Sequence, residues 1–102
     1  MRESDLLHEV LRLADIYDVL AFHVTDSRYA YGKGYPDLTL SGTARTIFAE
    51  LKIDDTSKGY LKPEQREWRQ RLEDGGEEYY LWRPRHLQDG TIEEVVRSLN
   101  DE

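Results

Sequence analysis

The segment RTIFAELKI, residues 45–53, has one wholly apolar side. Successive side chains of a strand point to opposite faces, so this alternation predicts a β-strand with two unlike faces. One face carries Ile47, Ala49, Leu51 and Ile53, and the other carries Phe48, Glu50 and Lys52. The apolar face needs a helix layer to pack against, which predicts an α/β chain with a central sheet flanked by helices.

The rest of the chain supplies the other elements of one small domain, residues 1–102, because 102 residues are too few for two domains. Helical spacing of Leu6, Val10 and Leu13 predicts a helix over 3–18. A second helix over 63–74 begins at a proline and ends at two glycines. Further strands are predicted at 19–24, around 38–40 and at 77–83, and a capping-box pattern opens a last helix over 91–99. The predicted order is α-β-β-β-α-β-α.

A Pro36-Asp37 step precedes the run Glu50-Leu51-Lys52 by thirteen residues, counted from Asp37 to Glu50. Glu50 and Lys52 share a strand face, and Asp37 sits at the start of the preceding predicted strand. One carboxylate from each strand can hold Mg²⁺, and the lysine can orient a water molecule or offset negative charge. The pattern therefore indicates a metal-dependent phosphodiesterase. The alternatives are a Pro-Asp turn and a solvated strand face.

Two polar residues beside apolar helix faces are further candidates for this site. Glu9 lies beside the apolar stripe of the first helix, where a carboxylate needs a metal ion or an arginine as partner, unless it lies at an edge. Gln65 shares a helix face with Trp68 and Leu72. Its amide could bind a site water, a phosphate or Glu50, or it could simply bond to the backbone.

The net charge of −7 argues against a strong grip on nucleic acid, but the charge is unevenly distributed. Residues 22–71 carry nine basic and seven acidic groups, and two of those acids are the proposed metal ligands. Cations that could contact phosphates are Arg28, Lys33, Lys58 and Lys62, and the tyrosines near Lys33 could stack on unpaired bases. His23 could contact a phosphate or water, or could be structural. This charge distribution permits weak DNA binding.

Four segments in order resemble the virus-type replication-repair nuclease (VRR-NUC) domain of the PD-(D/E)xK nuclease superfamily. They are GYPDLTL (34–40), IFAELKI (47–53), KPEQREW (62–68) and YYLWRP (79–84), and the resemblance covers nearly the whole chain. The resemblance implies a restriction-endonuclease-like core and Mg²⁺- or Mn²⁺-dependent cleavage of DNA. It implies metal ligation by Asp37, Glu50 and the Leu51 carbonyl, with catalysis by Lys52. Glu9 matches the acid of the family's first helix, and Gln65 its helix glutamine.

The same resemblance suggests branched or otherwise structured DNA as substrate in replication, repair or recombination, with a homodimer similar to Holliday-junction resolvases. The compact form resembles phage-encoded members. A nucleic-acid-binding or assembly subunit without turnover is the alternative from another class, and a metal-dependent RNase is a further enzymatic one. Nothing in the sequence resembles a signal peptide or a membrane-spanning run, which predicts a cytoplasmic protein, in the host cell if phage-encoded.

Overall fold

The computed structural model describes residues 1–24, 31–53 and 60–101. These residues form four helices and four strands. In chain order they are α1 (Glu3–Ile16), β1 (Leu20–His23), β2 (Leu38–Ser41), β3 (Thr46–Leu51), α2 (Pro63–Asp74), β4 (Glu78–Trp82), α3 (Pro84–Gln88) and α4 (Thr91–Ser98). The predicted order of elements is confirmed, with the short helix α3 as an addition.

The strands form one mixed sheet in the order β1-β2-β3-β4. Strands β1, β2 and β3 pair antiparallel, as a meander, whereas β3 and β4 run parallel. Parallel neighbours need a crossover connection, and α2 lies in that connection. The mixed α+β fold predicted from the sequence is therefore confirmed. No helix in the described ranges is both long and apolar enough to cross a membrane.

One face of the sheet carries the hydrophobic core. Helix α1 buries Leu6, Val10, Leu13 and Ala14, which recur at helical spacing and so form one stripe. This stripe shares the core with residues of β2, β3 and α4. The buried members from those elements are Leu38, Leu40, Ile47, Ala49, Leu51, Ile92 and Val96. The predicted apolar face of β3 is thus the core face, except that Ile53 lies beyond the strand and is exposed.

The opposite face of the sheet is covered by α2. Trp68 of this helix meets Tyr35 edge-on, with ring centroids 4.9 Å apart, and the Arg69 guanidinium lies over the ring of Tyr79. Helix α2 has no fully buried residue, so it lies over the sheet as a partly solvated layer. The side chain of Glu50 therefore points from β3 towards α2. Any chemistry on this face of the sheet involves residues of both elements.

Three local differences from the sequence predictions have physical causes. Helix α1 ends at Ile16 because Asp18 adopts a left-handed conformation (φ 56°), which aspartate tolerates better than most residues. Helix α4 is capped by Gly90, so Thr91 is its first helical residue and not its N-cap. Pro84 ends β4 as expected, but it also opens α3, since proline suits the first position of a helix.

Candidate metal centre

Asp37 and Glu50 are brought together by the pairing of β2 with β3. The antiparallel register places Leu38 opposite Ala49, so Asp37, one residue earlier, lies opposite Glu50, one residue later. Directly opposed residues have Cβ atoms roughly 5 Å apart. The Asp37 carboxylate also accepts a hydrogen bond from the backbone N–H of Leu51, at 2.9 Å. This bond fixes the aspartate beside the end of β3, as the thirteen-residue spacing predicted.

Glu50 is a buried carboxyl group with an incomplete set of partners. Only 2% of the residue is exposed. Its Oε2 accepts a hydrogen bond from the Gln65 amide at 3.1 Å, whereas Oε1 has no hydrogen-bond partner among the described residues. Burial, followed by the negative charge of Asp37, raises the pKa of Glu50 to about 9. A buried carboxyl group beside a second, half-buried one must keep its proton or pair with a cation.

Lys52 supplies a nearby positive charge. Its Nζ lies 3.9 Å from Glu50 Oε2, and only 11% of its side chain is exposed. Its backbone N–H donates to the carbonyl of Trp82, which extends the β3–β4 pairing by one residue past β3. Because that pairing continues, Lys52 keeps the strand alternation and points to the same side as Glu50. An ion pair at 3.9 Å is too long to satisfy the carboxylate by a good hydrogen bond.

Gln65 holds Glu50 from the first turn of α2. Its Oε1 accepts a hydrogen bond from the backbone N–H of Lys62 at 2.8 Å, and its Nε2 donates to Glu50. The two sequence alternatives for Gln65, a bond to the backbone and a bond to Glu50, are both present. Because Lys62 anchors the amide oxygen, the amide nitrogen is the atom directed at the carboxylate. The glutamine thereby orients Glu50.

A cleft of about 260 Å³ opens beside these residues at the N-terminal end of α1. Its lining consists of Glu3, Ser4, Leu7, His23, Val24, Asp37 and Leu51. Burial first, and then the charge of Asp37, raises the pKa of Glu3, while Lys52 lowers it. Glu3 is therefore the acid of α1 that lines the cleft together with Asp37. Glu3 was not among the residues predicted from the sequence, although its spacing of seven residues from the buried Val10 places both residues on one face of α1.

Glu9 is not brought to this group. Its carboxylate accepts hydrogen bonds from Arg12, at 3.2 Å from Nε and 3.0 Å from Nη2, and 40% of its side chain is exposed. Glu9 follows Glu3 by six residues, which is about 9 Å along the helix axis and on another side of the helix. Glu9 thus combines the two alternatives to a metal ion that the sequence left open, an arginine partner and an edge position. Glu3, and not Glu9, lines the cleft beside Asp37.

The donor set fits a hard divalent cation that keeps much of its water. In residues 1–24, 31–53 and 60–101 no group of three or more His, Cys, Asp or Glu side chains could hold a metal ion. Mg²⁺ is usually bound through only one or two carboxylates, with waters and phosphate oxygens completing its shell. Asp37 and Glu50 meet that requirement, and the unpartnered Oε1 of Glu50 is a free ligand atom. Ligation by the Leu51 carbonyl stays a prediction.

Two of the four cations predicted to contact nucleic acid, Lys33 and Lys62, lie within the described residues. The side chain of Lys33 is 72% exposed, with Nζ 3.8 Å from Glu64, and Lys62 is exposed just before α2. Arg28 and Lys58 lie outside the described residues. His23, at the end of β1, is exposed and lines the cleft with Asp37, so it is not a buried structural histidine.

Comparison with solved structures shows a protein of similar fold. No protein-family model matches the sequence, and no curated protein matches it either. A solved structure described as a "VRR_NUC domain protein" has a TM-score of 0.68 with this chain and 21% sequence identity. The match covers 99% of this chain and 92% of that one. The chain therefore has the fold of a VRR_NUC domain protein, as its sequence resemblance predicted.

Proposed function

We propose that this chain is a metal-dependent endonuclease that hydrolyses phosphodiester bonds in DNA. The observation that carries the proposal is the carboxyl pair Asp37 and Glu50, one of which is buried with an unpartnered oxygen. A chain that only binds DNA gains nothing from acids facing phosphates, because they repel. A site that holds a divalent cation gains from both acids. The fold shared with a VRR_NUC domain protein supports a nuclease of this class.

Each residue of the centre has a separate task in this proposal. Asp37 and Glu50 would hold Mg²⁺ or Mn²⁺, with Glu3 in the lining of the cleft beside Asp37. The cation, when bound, polarises the phosphate and makes a water molecule more acidic. Lys52 positions the attacking water and offsets the negative charge that develops on the phosphate. Gln65 keeps the Glu50 carboxylate oriented. The water oxygen forms a bond to phosphorus and gives up a proton, and the bond from phosphorus to one sugar oxygen breaks as that oxygen takes up a proton and leaves as a hydroxyl group.

The proposed substrate is branched or otherwise structured DNA of replication, repair or recombination. Two symmetric cuts across a four-way junction need two active sites, so we propose that the protein acts as a homodimer. The proposed location is inside the cell, where such DNA occurs. The net charge of −7 disfavours tight binding to long duplex DNA. That charge is the observation that favours the competing reading, an assembly subunit or a binding module without turnover.

A cleavage assay with matched variants tests the proposal. Labelled duplex, single-stranded, flap and four-way DNA are incubated with the protein in Mg²⁺, Mn²⁺ or EDTA. We expect cleavage only with metal, and we expect Asp37→Asn, Glu50→Gln and Lys52→Met each to reduce it at least a hundredfold while circular dichroism shows an intact fold. Glu9→Gln is the control, because it makes the same chemical change at a surface ion pair.

Metal titration by calorimetry separates the tasks. Asp37→Asn and Glu50→Gln should lose metal affinity, while Lys52→Met should retain most of it. Cleavage in EDTA, or full activity of Asp37→Asn, contradicts the metal site. Absence of cleavage on all four DNA forms, with normal metal binding, would favour the assembly role; cleavage of RNA alone would favour an RNase.

A further inference from the structure

A second groove, here called the α2 groove, lies between residues 31–33 and the outer side of α2. Its volume is about 520 Å³, twice that of the cleft beside Asp37. It is lined by Tyr31, Gly32, Lys33, Glu67, Trp68 and Arg71. From the sequence, Lys33 could contact a phosphate, and the tyrosines near it, which include Tyr31, could stack on unpaired bases. The groove has room for a ligand that the metal centre does not account for.

The floor of the α2 groove is held in place by Trp68. Its indole N–H donates to the carbonyl of Lys33 at 3.1 Å, and its ring packs edge-on against Tyr35. Gly32 has a positive φ of 93° and lies so close that a Cβ there would be 3.6 Å from the indole ring. These contacts tie residues 32–35 to α2. The groove is therefore built by the described fold.

The walls of the groove present an aromatic ring and two cations. Tyr31 is fully exposed, so both faces of its ring are open to solvent. The side chain of Lys33 is largely exposed, and Arg71 is exposed one turn after Trp68 on the same helix face. Glu67 is the one acid in the lining, so the lining residues alone carry one net positive charge, and Lys33 also lies 3.8 Å from Glu64 beside the groove.

The groove lies near the metal centre, because both are built on α2 and on the segment before β2. Gln65, which contacts Glu50, and Trp68 are three residues apart and thus about 4.5 Å apart along the helix axis. On the other wall, Tyr35 contacts Trp68 and precedes Asp37 by two residues. A B-DNA strand advances about 3.4 Å per nucleotide. A strand bound at the centre would therefore reach the groove within a few nucleotides.

We propose that the α2 groove is a binding subsite for an unpaired nucleotide next to the phosphodiester bond that is cut. The base stacks on Tyr31, and the neighbouring phosphates contact Lys33 and Arg71. Aromatic stacking is available only to a base that has left the duplex, since paired bases are stacked on each other. This inference rests on the proposed nuclease function and adds a preference for substrates with a single-stranded segment beside the cut.

The first test compares a blunt duplex with the same duplex carrying a single-stranded tail. Binding is measured by fluorescence anisotropy in Ca²⁺, a divalent cation chosen to limit cleavage. Tyr31→Ala should weaken binding of the tailed DNA roughly five- to a hundredfold, the range found for loss of one base–aromatic stack. Binding of the blunt duplex should change less than twofold. Tyr31→Phe and Tyr31→Trp should restore tail binding, because they restore an aromatic face.

The second test examines the cations through salt dependence. For single-stranded DNA, log affinity falls with log salt by about 0.7 per phosphate contact. Replacing Lys33 and Arg71 by alanine together should flatten the slope for a tailed substrate by about 1.4. Arg97→Ala, an exposed arginine on α4, is the matched control and should leave the slope unchanged. Tyr31→Ala should lower affinity at every salt concentration without changing the slope.

Intrinsic fluorescence provides a direct readout without cleavage. Trp68 lines the groove, whereas Trp82, the other tryptophan, is buried in the core. Titration with a short oligothymidylate in Ca²⁺ should therefore change tryptophan emission in the wild type and not in Trp68→Phe. Equal affinities of wild type and Tyr31→Ala for tailed DNA overturn the subsite and leave the nuclease proposal standing. A wild type that neither binds nor cuts any DNA overturns both.

Discussion

Glu50→Gln is expected to stabilise the protein in the absence of metal, although it removes a residue that the proposed reaction needs. The carboxyl of Glu50 is buried beside Asp37, and this surrounding raises the pKa of Glu50 from 4.5 to about 9. Below pH 4.5 the group carries a proton in both the folded and the unfolded chain. Between pH 4.5 and 9 only the folded chain keeps the proton, so the free energy of unfolding falls as the pH rises. Glutamine has no proton to lose.

The expected gain in the free energy of unfolding follows from the raised pKa of Glu50 and from the contacts of its side chain. Each unit of pKa shift is worth about 1.4 kcal/mol, which sets a ceiling of about 4 kcal/mol at pH 7.5. The new amide also places N–H donors near the Lys52 ammonium, whose Nζ lies 3.9 Å from Glu50 Oε2 in the wild type, and this offsets part of the gain. The Gln65 amide can still donate to the new side-chain carbonyl. We therefore expect Glu50→Gln to gain about 1–3 kcal/mol at pH 8 and nothing at pH 4.5.

Thermal unfolding followed by circular dichroism measures this difference. For a domain of this size the gain corresponds to a Tm higher by roughly 5–15 °C in EDTA at pH 8. Saturating Mg²⁺ should cancel or reverse this difference, because a ligand at a hundred times its Kd stabilises the wild type by about 2.7 kcal/mol. The variant should not respond to Mg²⁺. Glu9→Gln, the surface control, should stay within about 0.5 kcal/mol of wild type in every condition.

One outcome would refute the electrostatic reasoning. If Glu50→Gln is less stable than wild type at pH 8 in EDTA, the charged carboxylate stabilises the folded chain without any metal ion. Lys52 and Gln65 would then be sufficient partners for it. A gain that is equal at pH 4.5 and pH 8 would also contradict the argument, because it would be a packing effect and not a titration.

Three further predictions concern residues of α1 and the segment that packs on α2. Glu3→Gln should lower metal-dependent cleavage about tenfold or more, while Glu9→Gln should leave it unchanged; both are measured as single-turnover rates over a metal titration. Gly34→Ala should cost about 2 kcal/mol or more in urea unfolding and should slow cleavage, because a Cβ there would lie 2.6 Å from the backbone carbonyl of Glu64 at a positive φ. Leu6→Ala should cost about 2–5 kcal/mol in the same urea experiment, because it leaves a cavity in the core.

The sequence predicted the strand pair of the site because alternation and spacing are local. The alternating segment around Ile47 located β3 and separated its core face from Glu50 and Lys52. A short turn between β2 and β3 then leaves few registers that keep Leu38 and Leu40 buried. Each of those registers brings Asp37 near Glu50. The geometry of the carboxyl pair thus follows from hydrophobic pattern and loop length.

The acid of α1 could not be chosen in the same way. Glu3 and Glu9 both lie near the apolar stripe, and their difference depends on which end of the helix faces the cleft. That is decided by how α1 crosses the sheet, which depends on contacts with β3 and α4 far away in sequence. Helix α3 was missed for a related reason. Pro84 is compatible with both a strand end and a helix start, and only the following residues, packed against α4, decide.

Glu50 departs from the hydrophobic pattern that places the rest of β3, and Gln65 is the residue that partly compensates for it. Every buried residue of β3 except Glu50 is apolar, and an apolar side chain in place of Glu50 would leave no unpartnered oxygen. The fold compensates in part, since the Gln65 amide is held by the Lys62 N–H and directed at the carboxylate. The compensation is incomplete, because Oε1 has no partner within the described residues. A buried acid that is oriented by one neighbour and left unsatisfied at its other oxygen destabilises the free chain and favours binding of a cation.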